Sequence, residues 1–296
     1  MSRNSLAGRT VVAATAILFI ALLAGCGGPA DPPVRFIALG DVGTGGPAQR
    51  EVAAQMARTY REQGADFVLL LGDNFYPDGV ESVDDPRWRS HFEDIYDPAS
   101  LPLTFYVVAG NHDHKGDARA QIEYSRRSAR WRMPDHHYVF RREAQGRRVD
   151  FFAVDLLVID KPFGGYTDGL AWLEAELSSS EADYKIVFGH FAIWASPGHY
   201  GNNAELAARL APLLQRHGVN LYLSGHEHHL EIQAARDGLV QAISGAGSQN
   251  RDVAPGPKSR FASGRLGFML VSVGRQVIVV QVISRVGLVL FVGPLP

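Results

Sequence analysis

The stretch Val34-Arg35-Phe36-Ile37-Ala38-Leu39-Gly40-Asp41-Val42-Gly43 joins a short apolar run to a glycine and then at once to a metal-binding type of side chain. The same arrangement returns four times. Phe67–Leu71 precedes Gly72-Asp73, Phe105–Ala109 precedes Gly110-Asn111, Lys185–Phe188 precedes Gly189-His190, and Leu221–Ser224 precedes Gly225-His226. The runs are short, β-branched or aromatic, and separated by helix-like stretches, so they read as buried strands of an α/β sheet. Ligands in such folds sit beyond the carboxyl ends of the strands. Glycine there lets the backbone turn sharply and approach a ligand closely, so five oxygen or nitrogen donors are expected to converge. A single Gly-Asp after a strand is ordinary turn chemistry; five in register with five strands are not.

Between these strands the sequence predicts a helix near Pro47–Gln63, with proline in its first turn and Gly64 as its stop. A short helix follows Asp85-Pro86, and Asp117 caps another running to about Arg130. Leu170–Leu177 and Ala204–His217 also read as helices, with Pro212 expected to kink or divide the second. Beyond Gly225 the pattern changes to hairpins. Asp237-Gly238 is a tight-turn signal, and Gly267–Val273, Gln276–Ile283 and Leu288–Val292 read as strands that supply a second sheet or extend the first.

With 296 residues and 46% hydrophobic content, the chain can bury one substantial core. Its net charge of -2 and scattered basic residues lack the electrostatic footprint of a nucleic-acid binder, so a small or peptide-borne substrate is expected. The modest cluster Arg126, Arg127, Arg130 and Arg132 reads as a solvated helix face. At the N-terminus, Arg3 and Arg9 precede an apolar run from Thr10 to Ala24 that fits the h-region of an export signal. Leu23-Ala24-Gly25-Cys26 follows, contains the only cysteine, and resembles a bacterial lipobox. That resemblance implies lipidation of Cys26, removal of residues 1–25, a flexible linker over 26–33 and a single catalytic domain over 34–296, exported and held at a membrane through the lipid alone. One cysteine allows no internal disulfide.

The donor-type residues near the five glycines are Asp41, Asp73, Tyr76, Asn111, His112, His190, His226 and His228. His226 and His228 face one site if their segment is extended or a loop. Mixed carboxylate, imidazole, amide and phenolate groups suit iron, manganese or zinc. They are too many for one ion and suit two, with one carboxylate bridging.

In order, Gly40-Asp41-Val42-Gly43, Gly72-Asp73-Asn74-Phe75-Tyr76, Gly110-Asn111-His112-Asp113, Gly189-His190 and Gly225-His226-Glu227-His228 resemble the five metal motifs of calcineurin-like metallophosphoesterases. Tyr76, three residues after Asp73, narrows the resemblance to purple acid phosphatases, and Trp194–His199 to the small tartrate-resistant type. The resemblance implies a four-layer α/β/β/α sandwich of two mixed β-sheets flanked by helices. It further implies ferric iron on Asp41, Tyr76, His228 and bridging Asp73, and a second ion, iron, zinc or manganese, on Asp73, Asn111, His190 and His226. His112 and His199 would bind phosphate and protonate the leaving group; an alternative for His112 is to orient a ligand while paired with Asp113. His114, His136, His137, His217 and His229 are taken as surface or packing residues. The implied activity is phosphate monoester hydrolysis with an acid optimum, on small molecules or phosphopeptides. Alternatives are a phosphodiesterase or nucleotide pyrophosphatase on the same core, or a redox-active iron protein handling reactive oxygen species. Two departures stand out: the animal enzymes' cysteines and inserted loop are missing around Asp160–Gly169, and Val42 replaces their usual tryptophan.

Overall fold

The computed structural model describes residues 32–158 and 169–295. The export signal, Cys26, most of the proposed linker and nearly all of the region around Asp160–Gly169 lie outside the described residues. Among those described, no helix is long and apolar enough to cross a membrane.

In chain order the strands are β1 (Val34–Leu39), β2 (Phe67–Leu71), β3 (Thr104–Val108), β4 (Trp131–Arg132), β5 (His137–Ala144), β6 (Arg147–Val154) and β7 (Tyr184–Phe188). There follow β8 (Leu221–Ser224), β9 (Leu230–Gln233), β10 (Val240–Ser244), β11 (Ser259–Ser263), β12 (Gly267–Val273), β13 (Ile278–Ser284) and β14 (Val289–Pro294). They form two seven-stranded mixed sheets, in the orders β14-β13-β12-β1-β2-β3-β4 and β11-β9-β10-β8-β7-β6-β5. The C-terminal hairpins therefore do both things the sequence allowed: β9 to β11 complete the second sheet, and β12 to β14 extend the first.

Period-2 alternation explains the layers. Phe36, Ala38, Phe67, Leu69 and Leu71 point to the other sheet and meet Phe151, Ala153, Ile186, Phe188, Leu221 and Leu223. The ring of Phe151 lies 5.4 Å from that of Phe36 and 5.3 Å from that of Phe67, edge to face in both cases. The intervening residues Ile37, Leu39, Val68 and Leu70 point outward, where α1 (Pro47–Gln63) covers them with Val52 and Met56, and α2 (Ala118–Tyr124) adds Ala120. On the second sheet, Phe152, Val154, Val187 and Tyr222 are covered by α3 (Gly169–Ser179) and α4 (Ala204–Arg216). The result is the four-layer α/β/β/α sandwich.

Two helices differ from their sequence reading. Pro212 lies inside α4 without dividing it. Its local cost of about 3 kcal/mol is outweighed because Leu206, Leu210, Leu213 and Leu214 are buried, each worth about 1.5–3 kcal/mol. Helix α2 stops at Tyr124, short of Arg130, because the chain must turn to place β4 beside β3. The Ser125 hydroxyl donates to the Met133 carbonyl and accepts the Met133 N–H, which ties the helix end to the emerging strand. Arg127 and Arg130 pair with Asp84 and Glu93. The hairpin of β5 and β6 was not expected from the sequence. It turns at Gln145-Gly146, where both residues have positive φ, 53° and 72°, as a type I′ turn requires.

Candidate metal centre

Strands β1, β2 and β3 run parallel in the first sheet, and β6, β7, β8 and β10 run parallel in the second. The loops after β1, β2, β3, β7 and β8 thereby bring Asp41, Asp73, Tyr76, Asn111, His190, His226 and His228 together in contact at one end of the sandwich. The glycines act mostly through space rather than through φ. A Cβ on Gly110 would lie 2.3 Å from Asp73 Oδ1, and one on Gly225 would lie 2.6 Å from Asp41 Oδ2. It is the donors that bear the conformational load: Asp41, Asp73 and His226 have φ of 57°, 54° and 66°. Each left-handed residue costs roughly 1–2 kcal/mol, a sizeable sum against the ~5–15 kcal/mol stability of a domain. Hydrogen bonds hold them there. The Asp41 N–H donates to the Gly72 carbonyl at 3.0 Å, the His226 N–H to Asp41 Oδ2 at 2.9 Å, and the His112 N–H to Asp73 Oδ1 at 2.9 Å.

The donors fall into two groups that share Asp73. Tyr76 Oη lies 3.0 Å from Asp41 Oδ1, 2.9 Å from Asp73 Oδ2 and 3.4 Å from His228 Nε2. His190 Nε2 lies 3.4 Å from Asp73 Oδ1, 3.1 Å from Asn111 Oδ1 and 3.2 Å from His226 Nδ1. The His190 Nδ1–H donates to the Leu71 carbonyl at 2.8 Å. That fixes the tautomer and turns the Nε2 lone pair toward the cluster.

The electrostatics call for added positive charge. Asp41 and Asp73 are both buried, and buried carboxylates need pairing or a metal. Burial, together with Asp41 and Asp73, holds the Tyr76 hydroxyl far above its ordinary range. Burial would lower His190, but the Asp73 and Asp41 carboxylates raise it to about 9. Burial and the neighbouring His190 push His226 down to about 3. A cation between these groups would turn the phenol, the imidazoles and the carboxylates into ligands together, so the donor set fits a pair of metal ions.

His112 lines the same cleft. Its Nδ1–H donates to the Pro77 carbonyl, and its ring lies 4.5 Å from that of Tyr76. It does not pair with Asp113. That buried carboxylate accepts the backbone N–H groups of Asn74, Phe75 and Gly110 and a side-chain N–H of Gln121, so it fixes the second and third motifs against each other. His199 lies outside this cleft, exposed, on the wall of a neighbouring cavity. Tyr200 lines both, with its ring 4.2 Å from that of His226 and nearly parallel to it.

Several contributors escaped the sequence reading. Glu227, between two donor histidines, is buried and accepts the N–H groups of Tyr200 and Gly201 at 3.0 and 2.7 Å, which anchors the loop carrying His199. His229 pairs with buried Glu231 at 2.9 Å. His114 and His136, read from the sequence as surface or packing residues, lie 2.7 and 2.9 Å from the same oxygen of buried Asp155. These are hydrogen-bond lengths, and the group reads as a hydrogen-bonded brace beside the centre, although its donor types also suit a metal. Asp155 follows β6 as the other donors follow their strands, but with no glycine to flag it.

The brace predicts a pH window. Burial would raise Asp155, but hydrogen bonds from His114 and His136 hold it well below the usual carboxylate range. That stabilisation is present above about pH 4 and is lost as pH falls through the lowered value. Burial would lower His114, but Asp155 raises it. Its contribution is complete below about pH 6.5 and is lost as pH rises through the raised value. Asp155→Ala is therefore expected to remove about 3–5 kcal/mol near pH 5, as for one partner of a buried ion pair. Denaturant titrations of both proteins check this, and a loss under about 1 kcal/mol, as for a surface pair, would contradict it.

The family model for calcineurin-like phosphoesterases matches residues 34–230. Rat tartrate-resistant acid phosphatase type 5 is 34% identical over 314 residues, covering 95% of each chain. Arabidopsis thaliana purple acid phosphatase 17 is 36% identical over 241 residues, covering 74% of this chain and 70% of its own. Among solved structures, GAP50, the anchor in the inner membrane complex of Plasmodium, has a TM-score of 0.82 at 27% identity over 89% of both chains. Yellow lupin purple acid phosphatase PPD1 shares the fold, with a TM-score of 0.68 over 89% of this chain and 54% of its own. The chain belongs to the calcineurin-like phosphoesterase family. It is a metal-dependent phosphoesterase homologous to the tartrate-resistant and purple acid phosphatases.

Proposed function

We propose that the chain is a binuclear acid phosphatase acting on phosphate monoesters. The observation that carries the reading is the division of Asp73: one oxygen faces Tyr76, and the other faces His190. Asp41, Tyr76, His228 and Asp73 would hold ferric iron; Asp73, Asn111, His190 and His226 would hold iron, zinc or manganese. When bound, such a pair supplies Lewis-acid charge and a water of lowered pKa, and a trivalent ion extends that chemistry into acid.

The protein's own groups do the rest. His112, its ring steadied by Pro77, donates a proton from Nε2 toward the phosphoryl or leaving oxygen. His199 assists from the neighbouring wall, on a loop held by Glu227. Purified protein should hydrolyse nitrophenyl phosphate faster in acid than at neutral pH, and faster than bis(nitrophenyl) phosphate. Preference for the diester would favour a phosphodiesterase instead, and turnover unaffected by loss of His112 would favour redox chemistry.

Cys26 is proposed as a lipid attachment site that holds the exported enzyme at a membrane. The support is its position after an apolar run with flanking arginines. Cys26→Ser should move the protein from the membrane to the soluble fraction; continued membrane association would count against lipidation.

A further inference from the structure

Beside the metal cleft lies a second cavity of about 550 Å³, large enough for a small ligand. Tyr200, 61% exposed, is the wall the two share. Their charges are one-sided. Of the described residues lining either cavity, the only carboxylate is Asp73, already assigned to metal, whereas Arg236 and Lys258 line the second cavity and Arg251 the cleft.

Among the described residues, none of these three cations is paired with a carboxylate, in a chain whose net charge is negative. Several other arginines are paired with acids, as with Arg130 on Glu93, Arg141 on Asp150 and Arg147 on Asp183. Arg236 instead lies over the Trp194 ring, with its guanidinium carbon 4.2 Å from the centroid and its buried Nε without a hydrogen-bond partner among the described residues. Among the described residues its guanidinium makes one hydrogen bond, a long 3.4 Å contact from Nη2 to Gln233 Oε1. Stacking on an aromatic face preorganises a guanidinium for an oxyanion. Buried Glu231, the acid whose charge acts on Arg236, is already taken by Ser196, His229 and Gln233.

Resting on the phosphatase reading above, we infer that this cavity is a leaving-group subsite for a second phosphate, so that the preferred substrates are small bisphosphorylated molecules. One phosphate would enter the metal cleft while Arg236 and Lys258 hold the other across Tyr200. Charge-assisted contacts of this kind are worth about tenfold or more in kcat/KM.

The test compares a sugar monophosphate with the bisphosphate of the same sugar on the metal-loaded wild type, on Arg236→Gln/Lys258→Gln and on Lys258→Gln alone, whose side chain is exposed and so leaves the fold intact when replaced. The wild type should favour the bisphosphate by about tenfold or more, mainly through KM. The double variant should lose that preference and the single variant part of it, with monophosphate turnover unchanged. Equal use of both sugars by the wild type, or a preference that survives the double substitution, overturns the subsite. So does an acidic phosphopeptide that outcompetes the bisphosphate through the same two residues, since the occupant would then be a polypeptide. Calorimetric binding of the bisphosphate separates the two readings. Binding that depends on Arg236 and Lys258 without turnover of either sugar would sink the phosphatase reading and keep the subsite; binding indifferent to them would sink the subsite.

Discussion

Asp73→Ala is expected to strip metal from both halves of the centre and to lower kcat by more than about 10⁴-fold, over ~5 kcal/mol of barrier. The size of the effect follows from how Asp73 is placed. It lies in the loop just after β2, an interior strand of the first sheet, and its two oxygens serve different donor groups: Oδ2 faces Tyr76, and Oδ1 lies near His190 and accepts the His112 N–H. A terminal ligand serves one ion, whereas this side chain would serve both. Its removal also releases the N–H that positions His112. Elemental analysis of the variant, with circular dichroism as the control for folding, is the direct check. A folded variant with normal metal content would refute the bridge even if its activity were low.

His112→Asn is expected to behave differently, with kcat reduced by about 10²–10⁴-fold, the usual worth of a positioned acid or base, and with metal content intact. The ring lines the cleft but lies in neither donor group, and Pro77 rather than a carboxylate holds its Nδ1–H. That leaves Nε2 for a phosphoryl or leaving oxygen. Asparagine can still donate a hydrogen bond but cannot deliver a proton. Substrates with good leaving groups, such as nitrophenyl phosphate, should therefore suffer less than alkyl phosphates, whose alkoxide needs protonation. An equal loss on both substrates, or a loss below about tenfold, would contradict the assignment.

Much of this centre was legible in the sequence, because parallel strands put the residue after each strand at the same end of the sheet. Gly40-Asp41, Gly72-Asp73 and Gly225-His226 carry the signal through their repetition after successive strands, and the two-residue step from His226 to His228 in a loop allows a shared direction. What could not be read comes from contacts distant in sequence. Asp155 follows β6 with no glycine to mark it, and only the packing of the second sheet, with β6, against the first, with β3, brings it near His114. The loop of His199 carries no local pattern that fixes it. Glu227 and Glu231 do so from 26 to 35 residues away. The β5–β6 hairpin was masked by arginines at 141, 142, 147 and 148, which blur the alternation; Arg141 gains Asp150 as a partner only once the hairpin has formed. Aspartate and histidine enter the left-handed region more readily than most non-glycine residues, but residue type alone does not tell that Asp41, Asp73 and His226 are the ones that do so.

Metal analysis of the purified wild-type protein, paired with its visible spectrum and that of Tyr76→Phe, tests the central claim most directly. The arrangement around Asp73 predicts about two metal ions per chain, at least one of them iron, and a charge-transfer absorption that disappears in Tyr76→Phe. Full phosphatase activity with a single metal ion per chain, or an iron-loaded protein whose spectrum is indifferent to Tyr76, would contradict it.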